Sequence, residues 1–171
     1  ANVLVSMLFA GISGSSQADT AGIGKILIPG MIKEGYSKET SVGVTAASST
    51  IGIIIPPSIP MVIYSSVANA SIGALFLGGI VPGILIGLGQ MAVVYFVSKK
   101  HNYPKNERVP FKKVLRLALI NFPALLTPVI IIGGVISGAA TATESACVAA
   151  IYAIFLAVFA FKTINFKDLG E

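Results

Sequence analysis

Thr45-Ala46-Ala47-Ser48-Ser49-Thr50-Ile51-Gly52-Ile53-Ile54-Ile55-Pro56-Pro57-Ser58-Ile59-Pro60 decides how this chain folds. The stretch lies inside a run of about thirty residues, Thr40 to Asn69, that carries no charge. Roughly 20 apolar residues suffice to cross a bilayer, so a run of that length is membrane material. Proline removes a backbone N–H and clashes with the carbonyl four residues back, so no helix passes unbroken through Pro56-Pro57. Unpaired backbone groups in hydrocarbon are costly and persist only where protein or a cavity satisfies them. A span interrupted at its middle is how secondary transporters build ion and substrate sites.

Working outward, the composition agrees. The chain has 171 residues, of which 54% are hydrophobic and 11% charged, and it has no Trp. Soluble domains carry about 25% charged residues. The fold class expected is an all-α integral membrane protein. Residues Ala1 to Ile12 are already apolar and lack the charged start of a signal peptide, so the chain is expected to be an internal piece of a longer protein. The net charge of +5 is read as topology determinants and not as a nucleic-acid surface. Cys147 is alone, which excludes an intrachain disulfide, and is read as a small packing residue in an Ala-rich helix.

The segments separate along the chain. Residues 1–32 are two short apolar stretches around the polar break Ser13-Gly14-Ser15-Ser16-Gln17. They form either one interrupted span or a re-entrant hairpin, and the hairpin is favoured because a broken helix follows it. Residues 41–69 are the broken span. Residues 70–109 hold a continuous span, 71–97, with Pro82 as its kink, and a basic loop. Residues 110–121 put Lys112, Lys113 and Arg116 on one helical face, which predicts an amphipathic arm lying in the interface plane. Residues 122–171 hold two further spans, 123–140 and 143–161, joined by the turn Ala139-Ala140-Thr141-Ala142. Counting crossings puts eleven of the twelve basic residues on one side, and Lys25 is the exception. The positive-inside rule makes that side cytoplasmic.

Enzyme chemistry finds no support. His101, the one histidine, sits in the basic loop beside Lys99, Lys100 and Tyr103. A metal centre needs three or four ligands and a triad needs a base beside its nucleophile; neither pattern is present. No Walker-type phosphate loop occurs. What remains is oxygen: Ser13-Gly14-Ser15-Ser16, and Ser48-Ser49-Thr50-Ile51-Gly52 extended to Pro56. Hydroxyls and freed carbonyls suit a sodium ion, although small polar residues also let membrane helices pack closely. The helix starting near Gln17 offers its N-terminus to an anion. Ser16 with Asp19, and Thr141 with Glu144, fit helix caps.

These motifs resemble a family. Ile12-Ser13-Gly14-Ser15-Ser16-Gln17-Ala18-Asp19, Ile26-Leu27-Ile28-Pro29-Gly30-Met31 and the stretch Thr45 to Pro60 are similar to the large membrane subunit of TRAP transporters, the tripartite ATP-independent periplasmic carriers. So are Ser71 to Gly83 and Ser137 to Glu144, with Ala142 where a proline is common. The resemblance implies an elevator-type transporter core with a re-entrant hairpin, a broken transmembrane helix and scaffold helices. It implies sodium-coupled import of organic acids, such as sialic acid or C4-dicarboxylates, delivered by a periplasmic binding protein to a transporter with a small membrane subunit. Carried onto this chain, Ser13, Ser15, Ser16, Ser49, Thr50, Gly52 and Pro56 would form a sodium site, and Gly14, Ser15, Ser16 and Pro57 would meet the substrate. A sodium/dicarboxylate or citrate carrier working without a binding protein is the alternative. A purely structural subunit would need no unwound backbone, and a channel would show a polar or charged ring.

Overall fold

The computed structural model describes residues 2–101, 103 and 110–161. Among these every regular element is helical. Two compact units are distinguished, Ala1–Asn106 and Glu107–Glu171.

The first unit begins with α1 (Asn2–Ser13) and α2 (Ser16–Lys33). The chain reverses between them at Gly14, whose φ of 62° is left-handed. The reversal is a true hairpin, since Asn2 Nδ2 at the start of α1 lies 3.1 Å from Met31 Sδ near the end of α2. Helices α1 and α2 therefore run back along each other from Asn2 to Lys33. Gly35, at φ 91°, ends α2, and Ser37 caps α3 (Lys38–Ser49) by accepting from the Thr40 N–H. The helix then tightens into a 3-10 turn, Thr50–Ile53. Helix α4 (Ile59–Ala68) starts afresh after Pro56-Pro57, with Ser58 as its cap. The broken span thus breaks where its prolines require.

Helix α3 runs alongside α1 and against α2, so the break meets the hairpin tip. The tie is explicit: the Ile59 N–H donates to the Gly14 carbonyl at 3.1 Å. A small core of Val3, Ala10 and Ile51, ringed by Met7, Val44, Ile55, Met91 and Val94, joins these elements to α5 (Ile72–Lys100). A polar seam lies beside it. Asn2 Nδ2 donates to Thr45 Oγ1 at 2.8 Å, and Ser6 and Ser48 hydroxyls meet at 2.8 Å, all four residues being buried. At the other end of α3, Tyr103 stacks on Tyr36 at 4.5 Å and its hydroxyl reaches Thr40 Oγ1 at 3.0 Å. Hydrogen bonds from Ser37 and Thr40 hold its phenol below the ordinary tyrosine range. His101, expected as a solvated loop residue, is exposed and stacks on Tyr103.

The second unit is α6 (Phe111–Ile136) packed on α7 (Ala142–Phe155), which continues as a π-helical turn, Leu156–Ala160. The arm expected at 110–121 and the span expected at 123–140 are one continuous helix. Pro123 removes the N–H that would answer the Leu119 carbonyl, and α6 nevertheless continues through it. The Tyr152 hydroxyl of α7 donates to the Pro123 carbonyl at 3.0 Å and ties the two helices together. Thr141 and Glu144 form the expected capping box. Cys147, read as a packing residue, is exposed within the chain. Residues 105, 108, 162 and 167, four of the basic positions in the charge count, lie outside the described residues.

Among the described residues three helices are long and apolar enough to cross a membrane: Ile72–Lys100, Lys112–Ile136 and Ala142–Ala160. The chain is a multi-pass membrane protein.

Candidate functional site

The hairpin tip and the helix break come together in the first unit. Ser15, at an extended φ of −141°, caps α2 by accepting from the Ala18 N–H. The sequence had suggested Ser16 for this role with Asp19 as its partner. The cap falls one residue earlier, which turns Asp19 inward and frees it from capping. Asp19 is fully buried. Its Oδ1 accepts from the Ser13 hydroxyl, and its Oδ2 has no partner among the described residues.

Oδ2 faces Gly52 so closely that a Cβ at that position would overlap it, and the same Cβ would stand 3.4 Å from the Ser15 carbonyl carbon. Gly52 is thus the residue that lets the carboxylate reach the break. Beyond it the backbone is rich in free acceptors. Ser58 Oγ takes up the Ile53 carbonyl at 2.8 Å. The carbonyls of Ile54, Ile55, Pro56 and Pro57 receive no hydrogen bond among the described residues. A buried carboxylate with one oxygen unanswered costs several kcal/mol unless a proton or a cation completes it. A hydroxyl, a carboxylate and unwound carbonyls are the hard oxygen set that suits an alkali or alkaline-earth cation.

The other expected residues divide. Gly14 and Pro57 touch: a Cβ on Gly14 would be 2.7 Å from the Pro57 carbonyl oxygen. Pro56 is buried between them and the core, and Ser15 lies at the same junction. Ser49 is buried with its hydroxyl donating back to the Thr45 carbonyl at 2.8 Å. Thr50 is exposed and donates to the Ala47 carbonyl at 2.7 Å. Ser16 and Thr50 instead line an open recess of about 410 Å³ with Gln17, Thr20, Ala21 and Ala46. Asp19 is the residue that sequence reasoning assigned to capping and the geometry assigns to the site. The signal for it was its place in a charge-poor hairpin, where an acidic residue needs a reason.

The chain as a whole resembles known proteins. A family model described as the tripartite ATP-independent periplasmic transporter, DctM component, matches residues 1–171. The chain belongs to the DctM family. It is 47% identical over 96% of its length to the C4-dicarboxylate TRAP transporter large permease protein DctM of Vibrio cholerae, covering 36% of that protein. It is 46% identical over 99% of its length to the sialic acid TRAP transporter large permease protein SiaM of the same organism, covering 40% of it. The isethionate TRAP transporter permease protein DctMQ of Oleidesulfovibrio alaskensis is 43% identical over 96% of the chain, which covers 26% of that protein. The chain thus spans well under half the length of these DctM relatives. By name these relatives are transporter permeases and not enzymes.

Proposed function

We propose that this DctM chain carries one sodium site and half of the substrate cradle of a transporter that imports organic acids on a sodium gradient. The observation that carries this reading is the buried Asp19 carboxylate, with one oxygen answered by Ser13 and the other open beside Gly52 and the freed carbonyls. Sodium would be held by Ser13, Asp19 and carbonyls of the break from Gly52 to Pro57. Ser15 and Ser16, at the tip, are better placed for the substrate. There the first N–H groups of α2 are available to a carboxylate, with Gly14 and Pro57 shaping the approach.

Coupling follows from the shared geometry. A cation that orders the tip against the break also completes the anion site at the start of α2. It can bias the conformations only through its differential affinity for them. The movement is an elevator, in which hairpin and broken helix travel together, supported by the Ile59–Gly14 bond and the α1–α3 seam. The partners are a periplasmic binding protein and a small membrane subunit. The basic loops face the cytoplasm and the protein lies in the inner membrane, which the one-sided distribution of lysine and arginine supports. The relatives' names support carboxylates such as C4-dicarboxylates or sialic acid as the substrate class.

The test is uptake by proteoliposomes holding the full-length protein with both partners, using the acid its own binding protein retains. Uptake should require an inward sodium gradient and fail with potassium. Ser13→Ala should raise the sodium requirement, and Asp19→Asn should raise it further or stop transport. Sodium-indifferent uptake would overturn the proposal.

A further inference from the structure

Helix α5 buries three glycines, Gly79, Gly83 and Gly87, spaced four apart and so on one face. That face receives the break directly. A Cβ on Gly79 would stand 2.5 Å from the Ile54 carbonyl oxygen and 2.6 Å from Met61 Cε. A Cβ on Gly83 would stand 2.5 Å from Ile55 Cγ1. Gly78, one residue away, has nothing within 4 Å of the same position. The contrast matters because a methionine end can swing aside, whereas a backbone carbonyl moves only with its peptide. Ile54 lies two residues beyond Gly52, and its carbonyl receives no hydrogen bond among the described residues. It abuts the glycine surface of α5 at Gly79.

We infer that Gly79 and Gly83 are positioning residues for the ion site, fixing how far the Gly52–Ile55 backbone stands from Asp19. The inference rests on the sodium reading above. An independent observation points the same way: the buried Asp19 Oδ2 has no partner among the described residues and lies against Gly52, two residues from Ile54. Moving the Ile54 peptide by a few tenths of an ångström therefore changes how the break stands against that carboxylate. Neither glycine touches the ion; each sets the place of atoms that do.

The test uses the full-length transporter purified with its small subunit in detergent. Its thermal stability is followed as sodium chloride replaces potassium chloride at constant ionic strength. Wild type and Gly78→Ala should share one half-saturating sodium concentration. Gly79→Ala should need roughly tenfold more, the scale on which groups supporting metal ligands act. Gly83→Ala should shift it in the same direction, and adding Ile55→Ala, which removes the obstructing Cγ1, should reverse the shift. If Gly79→Ala yields no folded protein, the Gly83 pair decides. Shift and reversal support the inference, and the absence of either overturns it. Unchanged half-saturation in Gly79→Ala also overturns it while leaving the sodium site standing. Wild type that does not distinguish sodium from potassium would overturn the site itself.

Discussion

Gly14 is where the hairpin and the break are fitted to each other. Its φ of 62° is one that a residue with a side chain adopts at a cost of about 1–2 kcal/mol. Its Cβ would also press on the Pro57 carbonyl at 2.7 Å. Gly14→Ala should therefore lower the stability of the purified protein by about 2 kcal/mol or more, since strain and overlap add. Gly43→Ala, with nothing within 4 Å, should be neutral or slightly stabilising in the same thermal unfolding measurement. At this scale the sequence was legible in kind and not in register. Ser/Gly at the tip and Ser-Ser-Thr with Gly at the break announced oxygen chemistry. Two hydroxyls in tandem, Ser15 and Ser16, gave no local reason to place the cap on one over the other. That single step decides whether Asp19 caps a helix or fills a site.

Among elements, the polar seam between α1 and α3 does what a hydrophobic contact cannot do between helices already surrounded by lipid. Interhelical hydrogen bonds add direction and register. Asn2 also accepts from Ser48 at 3.2 Å through its Oδ1, so one amide serves two residues of α3. Asn2→Ala should cost about 1–3 kcal/mol by leaving Thr45 and Ser48 short of a partner. Ser6→Ala should cost less, because Ser48 retains a bond to the Thr45 carbonyl at 3.1 Å. Chemical denaturation of the purified protein would rank them, and equal effects would deny the seam its hierarchy. The existence of these helices was readable from charge-free runs and from Pro56-Pro57. The arm was not. Lys112, Lys113 and Arg116 crowd one face, and Asn121 before Pro123 reads as a stop, yet the Asn121 amide donates back to the Leu117 carbonyl at 2.8 Å and the helix runs on.

For the molecule as a whole, orientation is the property most open to direct test. With Cys147 replaced by serine, a cysteine at Ala68, at the end of α4, should react with a membrane-impermeant thiol reagent added outside intact cells. A cysteine at Glu34, in the turn after α2, should react only after lysis. Both positions are exposed in the chain, so access is set by the membrane alone. The reverse pattern would invert the assigned topology. The expected side of the basic residues, of which this labelling is the test, comes from counting crossings, which needs only the number of spans and not their packing. The packing of hairpin on break was beyond it, since the contacting residues are over thirty positions apart.

The α1–α3 seam also has a meaning in time. Asn2 and Ser6 emerge from the ribosome well before Thr45 and Ser48, the groups that answer them. At about 5–20 residues per second, the stretch from the end of α2 through α3 takes about one to three seconds to synthesise. Until then the first hairpin has a polar flank with no protein to face. It must be sheltered at the insertion machinery or held at the water boundary, so of these two elements the one made earlier is the one that settles late.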